Sequence, residues 1–88
     1  MKIKLHRKFE KSYRTRIASN EKLVLQTEAR INLFKTNPKD PLLKNHELVG
    51  AKRGLRSFSI AGDIRIVYMQ LTEDEVIFLD IGSHNQVY

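Results

Sequence analysis

LRSFSIAGDIRIVYMQLTEDEVIFLDI, residues 55–81, holds three apolar runs separated by two turn-forming tripeptides, and its reading decides the fold. Leu55 to Ile60, Ile64 to Leu71 and Glu75 to Ile81 are rich in Ile, Val, Phe and Tyr, which pack well on a pleated surface. Ala61-Gly62-Asp63 and Thr72-Glu73-Asp74 have hairpin length and chemistry. The spacing therefore predicts three sequential antiparallel strands. In the last, Val76, Ile77, Phe78, Leu79 and Ile81 leave neither face polar, which predicts a central strand covered on both sides.

Working outward, Lys2 to Leu5 (KIKL) alternates polar and apolar residues, as a short strand does, with Ile3 and Leu5 expected to face inward. Phe9, Tyr13 and Ile17 recur every four residues from about Arg7 to Ala18 and stack on one helical face. Ser19-Asn20 breaks that helix and offers an N-cap to a second, about Glu21 to Lys35, whose stripe is Leu23, Val24, Thr27, Ile31 and Phe34. Asn37-Pro38 ends it. Residues 38 to 54 carry both prolines and two of the four glycines, and read as a long functional surface loop. The expectation is an α+β domain over residues 1–88: an N-terminal strand and a helical hairpin on one face of an antiparallel sheet of about four strands, the other face free for a site.

Composition narrows the function classes. With no Cys, neither a disulfide framework nor a thiolate metal site is available, which suits a reducing cytosol. No apolar run has the length of a signal segment or a membrane span, so the expectation is a cytoplasmic protein without membrane contact. The net charge of +6 is unevenly placed: Lys2, Lys4, Arg7, Lys8, Lys11, Arg14 and Arg16 stand against Glu10 alone, while the rest of the chain is balanced. Such a segment suits a polyanion or an acidic partner, or serves only as a solvated face.

Phosphate loops, dinucleotide glycine patterns, nucleophile elbows and zinc spacings are absent, and His6, His46 and His84 are far apart in sequence; neither metal nor cofactor is expected. His84 follows the most apolar strand, where a side chain can project into a groove, and imidazoles as a class titrate near the pH that proton transfer needs. It also reads as an ordinary polar tail residue, and His46 as an ordinary loop histidine. Arg65 alternates with Ile64, Ile66 and Val67, so its guanidinium either pairs with a carboxylate or crosses a sheet face toward phosphate. Arg56, Lys52 and Arg53 suit a basic rim or plain solvated charges. Tyr88 suits stacking on an exposed base, or sealing the core edge.

His46-Glu47-Leu48-Val49-Gly50, Leu55-Arg56, Asp63-Ile64-Arg65-Ile66-Val67-Tyr68, Ile81-Gly82-Ser83-His84 and Val87-Tyr88 together resemble the RelE/ParE toxin superfamily, and the NHxL and GSHxxVY patterns are similar to its YafQ-like branch. The resemblance spans nearly the whole chain. It implies the toxin of a type II toxin–antitoxin pair: a metal-independent endoribonuclease (mRNA interferase) that cuts mRNA on the ribosome. It also implies a monomeric toxin restrained by a cognate antitoxin within a larger complex. Carried over by position, His84 is the leading acid or base, His46 assists, Asp63 orients or accepts a proton, Arg65 faces the scissile phosphate, and Tyr88 contacts a base. The branch usually has a further histidine where this chain has Ser59, and a serine does not titrate near neutrality, so His84 and His46 are expected to share the proton transfers. Two other readings use the same fold: a ParE-like gyrase inhibitor that acts by binding, and an RNA-binding module without catalysis.

Overall fold

The computed structural model describes residues 1–88 as β1 (Lys2–Leu5), α1 (Arg7–Arg16), α2 (Glu21–Thr36), β2 (His46–Glu47), β3 (Arg56–Ala61), β4 (Ile64–Thr72), β5 (Glu75–Ser83) and α3 (His84–Val87). Short 3₁₀ turns at Pro41–Leu43 and Gly50–Lys52 flank β2. No helix is long and apolar enough to cross a membrane.

The helices begin where polar side chains can take up free backbone donors. His6 Nδ1 accepts the Lys8 N–H at 3.0 Å at the start of α1, and Asn20 Oδ1 accepts the Leu23 N–H at 3.1 Å at the start of α2. Both helices lay their apolar stripes on one sheet face, where Phe9, Ile17, Phe34, Phe58, Ile66, Tyr68 and Phe78 form the main core. Phe34 stacks on Phe58 at 4.4 Å between centroids and meets Tyr68 edge-on at 5.0 Å, offset and T-shaped contacts that favour one packing.

The sheet has five strands in the order β1-β5-β4-β3-β2 and is mixed. β3, β4 and β5 form the expected antiparallel meander, with Gly62 (φ +52°) in the first turn, the mirror-image geometry that matches strand twist. β1 pairs in parallel with β5, Lys2 opposite Glu75 through Leu5 opposite Phe78. A parallel neighbour needs a long crossover, which the intervening helices and strands supply. Within β1 only Ile3 packs on the core; Leu5 is half exposed, against the expectation that both face inward. The fifth strand is β2, paired with Arg56 and Ser57 inside the segment expected to be loop.

The second sheet face is not left bare. Leu48, Val67, Val87 and the half-buried Leu55 form a small second cluster that fastens the loop after β2 and helix α3 over that face. An additional residue in β5, Leu79, shifts its register against Val67–Tyr68. Beyond the shift, Asp80, 4% exposed, meets Arg16 at 3.3 Å and Lys8 at 3.5 Å, and Arg16 also donates to the Ile81 carbonyl at 3.0 Å.

Candidate active site

A cleft of about 490 Å³ opens between the β2 loop and α3, with His46 and Lys52 on one wall and His84 and Tyr88 on the other. Strand parity explains which side chains reach it. In β3 and β4, Phe58, Ile60, Ile66 and Tyr68 point into the helix-side core, so Ser57, Ser59, Arg65 and Val67 point to the cleft side.

Tyr88 organises this side. Its hydroxyl lies 2.5 Å from Ser57 Oγ and accepts from Arg65 Nη1 at 3.4 Å. The Arg65 guanidinium carbon is 5.4 Å from the Tyr88 ring centroid, a cation–π contact, and the His84 ring meets the same ring edge-on at 4.5 Å. Arg65 is otherwise paired only with Asp63, at 3.6 Å, and its Nε is buried without a partner. The other Asp63 oxygen accepts the His84 backbone N–H at 3.3 Å, so one carboxylate ties Arg65 to the first turn of α3. That turn is closed by a capping box: Ser83 N–H donates to Gln86 Oε1 at 2.8 Å. Gly82 lies close beside it: a Cβ there would come within 2.6 Å of Gln86 Oε1 and 2.7 Å of Arg16 Nη1, so both side-chain ends would have to shift.

On the opposite wall, His46 Nδ1 lies 2.8 Å from the Lys44 carbonyl. A carbonyl oxygen only accepts, so this contact favours a proton on Nδ1, which in the neutral ring leaves Nε2 as the acceptor. No three His, Asp or Glu side chains come close enough together to hold a metal ion.

The cleft thus brings together His46, His84, Lys52 and Tyr88, with Arg65 and Asp63 joined to them through Tyr88 and α3. Ser59 sits opposite Arg65 in the β3–β4 register. Arg53 is exposed and lies outside the cleft lining. Arg56 stands on the other sheet face, opposite Tyr68, where its Nε donates to Asn45 Oδ1 at 3.1 Å. Sequence reasoning gave no role to Ser57, whose parity with Ser59 was the available signal, or to Asn45, the first residue of the NHxL pattern, whose partners Arg56 and Tyr68 are distant in sequence. Of the basic N-terminal segment, Arg7, Lys8, Lys11, Arg14 and Arg16 lie on α1, on the helix side of the sheet, and Lys2 and Lys4 on edge strand β1; Lys4, Lys8 and Arg16 have acidic partners.

A family model described as the bacterial toxin of type II toxin–antitoxin systems, YafQ, matches residues 1–88. A comparison with curated protein sequences gave no match. Among solved structures, a copper-bound mutant toxin from Helicobacter pylori is 28% identical, with 100% of this chain and 99% of that one covered and a TM-score of 0.75. YafQ from E. coli is 20% identical over 98% of this chain and 96% of its own, with a TM-score of 0.82. The YafQ of an E. coli DinJ–YafQ toxin–antitoxin complex is 22% identical over 98% and 94%, with a TM-score of 0.79. With the family model matched from the first residue to the last, and the expected strand–helix–helix–meander order in place, the chain belongs to the YafQ family of type II toxin–antitoxin toxins.

Proposed function

We propose that this toxin is an endoribonuclease that cuts mRNA on the ribosome without a metal ion and is restrained by a cognate antitoxin. The observation that carries the reading is the convergence of Arg65 and His84 on the Tyr88 ring, at the wall of a cleft that His46 faces from the other side. Internal transesterification of RNA needs three things at one phosphate: an acceptor for the 2′-hydroxyl proton, a cation for the extra phosphoryl charge, and a donor for the departing 5′-oxygen. Two imidazoles and a guanidinium are that set. As the 2′-oxygen bonds to phosphorus, one imidazole takes its proton; as the phosphorus–O5′ bond breaks, the other protonates the 5′-oxygen. The products are a 2′,3′-cyclic phosphate and a 5′-hydroxyl, and no oxidant or reductant is needed.

Within this scheme Arg65 neutralises the phosphoryl oxygens and Lys52 adds positive potential on the far wall. Tyr88 supports a base on its exposed face, and Asp63 orients Arg65 and α3. Ser59 holds no proton-transfer role. Arg53 and the unpaired N-terminal cations contact RNA outside the cleft through charge alone. The antitoxin is expected to offer an acidic segment to this +6 chain, as a counterpart to DinJ in the E. coli complex.

The test is to translate a defined mRNA with purified ribosomes and map the ends produced, beside a gyrase supercoiling assay. Cleavage by the wild type, lost in His84→Ala, with supercoiling unaffected, supports the proposal. Gyrase inhibition without cleavage overturns it in favour of a ParE-like mode, and toxicity that survives His84→Ala overturns it in favour of RNA binding alone.

A further inference from the structure

The residue preceding His46 is tied through its side-chain amide to three separate parts of the chain. Asn45 Nδ2 donates to the Pro38 carbonyl at 3.0 Å and to the Tyr68 hydroxyl at 2.8 Å. Its Oδ1 accepts from Arg56 Nε at 3.1 Å, with the Tyr68 hydroxyl also 3.1 Å away. Tyr68 is 2% exposed and belongs to the main core, so the amide is tied to a fixed point on the helix side of the sheet. Just before it, Lys44 is the one non-glycine residue at positive φ, +49°. Such a conformation is uncommon for a residue other than glycine, and it persists where the surroundings over-determine it. It is the Lys44 carbonyl that meets His46 Nδ1 at 2.8 Å. A free neutral imidazole side chain prefers its proton on Nε2; this contact places it on Nδ1 instead.

The geometry points to Asn45 as a positioning residue for the reaction: clamped by Tyr68 and Arg56, it holds Lys44 in its left-handed turn, so that the Lys44 carbonyl fixes His46 as the Nδ1–H tautomer with Nε2 as the proton acceptor. The inference rests on the nuclease reading and divides its roles, giving His46 the 2′-hydroxyl proton and leaving His84 to protonate the 5′-oxygen. It also gives Arg56, on the sheet face away from the cleft, a part in the site through Asn45.

The experiment pairs ring-nitrogen NMR of the full chain, which reports the His46 tautomer directly, with ribosome-dependent cleavage kinetics. Wild type is expected as Nδ1–H. Asn45→Ala should move His46 toward Nε2–H and lower kcat on the order of 10- to 100-fold with KM unchanged. Asn45→Asp, which keeps an acceptor for Arg56 and Tyr68, should recover most of both. Tyr68→Phe, which removes only a hydroxyl, should shift the tautomer in the same direction and serves if Asn45→Ala does not fold. An Nε2–H His46 in the wild type, or a tautomer unmoved in both variants, overturns the inference. If the tautomer shifts as expected while the wild type cuts no RNA, the positioning of His46 stands and the nuclease reading is what falls.

Discussion

Arg65 and His84 contact one and the same aromatic ring, that of Tyr88, the guanidinium 5.4 Å from its centroid and the imidazole edge-on at 4.5 Å. The ring therefore stands between the guanidinium and the imidazole, and under the proposed chemistry it spaces two reacting groups and offers a surface for a base. Tyr88→Ala should lower cleavage on the order of 100-fold, from lost stacking and lost positioning together. Tyr88→Phe keeps the ring and forfeits only the hydroxyl contacts to Ser57 and Arg65, so it should stay within about tenfold of wild type. Single-turnover cleavage of ribosome-bound mRNA reads both.

A proton-transfer role for His84 predicts a loss in kcat and little change in KM. His84→Gln, which preserves polarity and approximate size, should lower kcat by about 10² to 10⁴. The imidazole is exposed, so thermal stability should stay within about 0.5 kcal/mol of wild type. A fall in stability matching the fall in activity would count against the assignment.

Asp63 separates positioning from stability. Its side chain is 62% exposed, and an ion pair so exposed contributes under about 1 kcal/mol. Yet its two oxygens are committed to Arg65 and to the His84 backbone N–H. Asp63→Ala should barely move the denaturation midpoint while lowering cleavage roughly 10-fold. Asp63→Asn, which still accepts a hydrogen bond, should lose less.

The opposite pattern is expected at Asp80, whose side chain is 6% exposed between Arg16 and Lys8. Removing a buried carboxylate strands its partner, and Asp80→Ala should destabilise the fold by about 3–5 kcal/mol in urea denaturation. Lys8→Ala, with that side chain 64% exposed, should remove under about 1 kcal/mol.

Local patterns reached far into this fold. The meander, both helices and their break are written in alternation, four-residue spacing and turn chemistry, and the structure agrees to within a residue or two at most boundaries. Pairing with a distant neighbour is written in none of these. KIKL announces a strand without naming β5 as its partner, and His46–Glu47 is too short for any alternation to show. The two strand arginines differ for a reason that was readable: Arg56 shares its parity with Phe58 and Ile60, whereas Arg65 falls out of step with Ile64, Ile66 and Tyr68. The convergence of the imidazoles had no local signal, because His46 reaches the cleft through contacts distant in sequence, among them the small cluster of Leu48, Val67 and Val87 that folds its loop over the sheet.

The parallel pairing of β1 with β5 has a consequence for how the molecule is born. Lys2–Leu5 leave the ribosome well before their partners Glu75–Phe78 are made. Long-range contacts of this kind are slow to form, and a chain under synthesis cannot form them early. The cleft, assembled from β2 onward and closed by α3, is finished at the same late moment. A nascent chain thus has no finished cleft until α3 has emerged, and for a nuclease of the kind proposed this interval is the time a restraining partner has to be waiting.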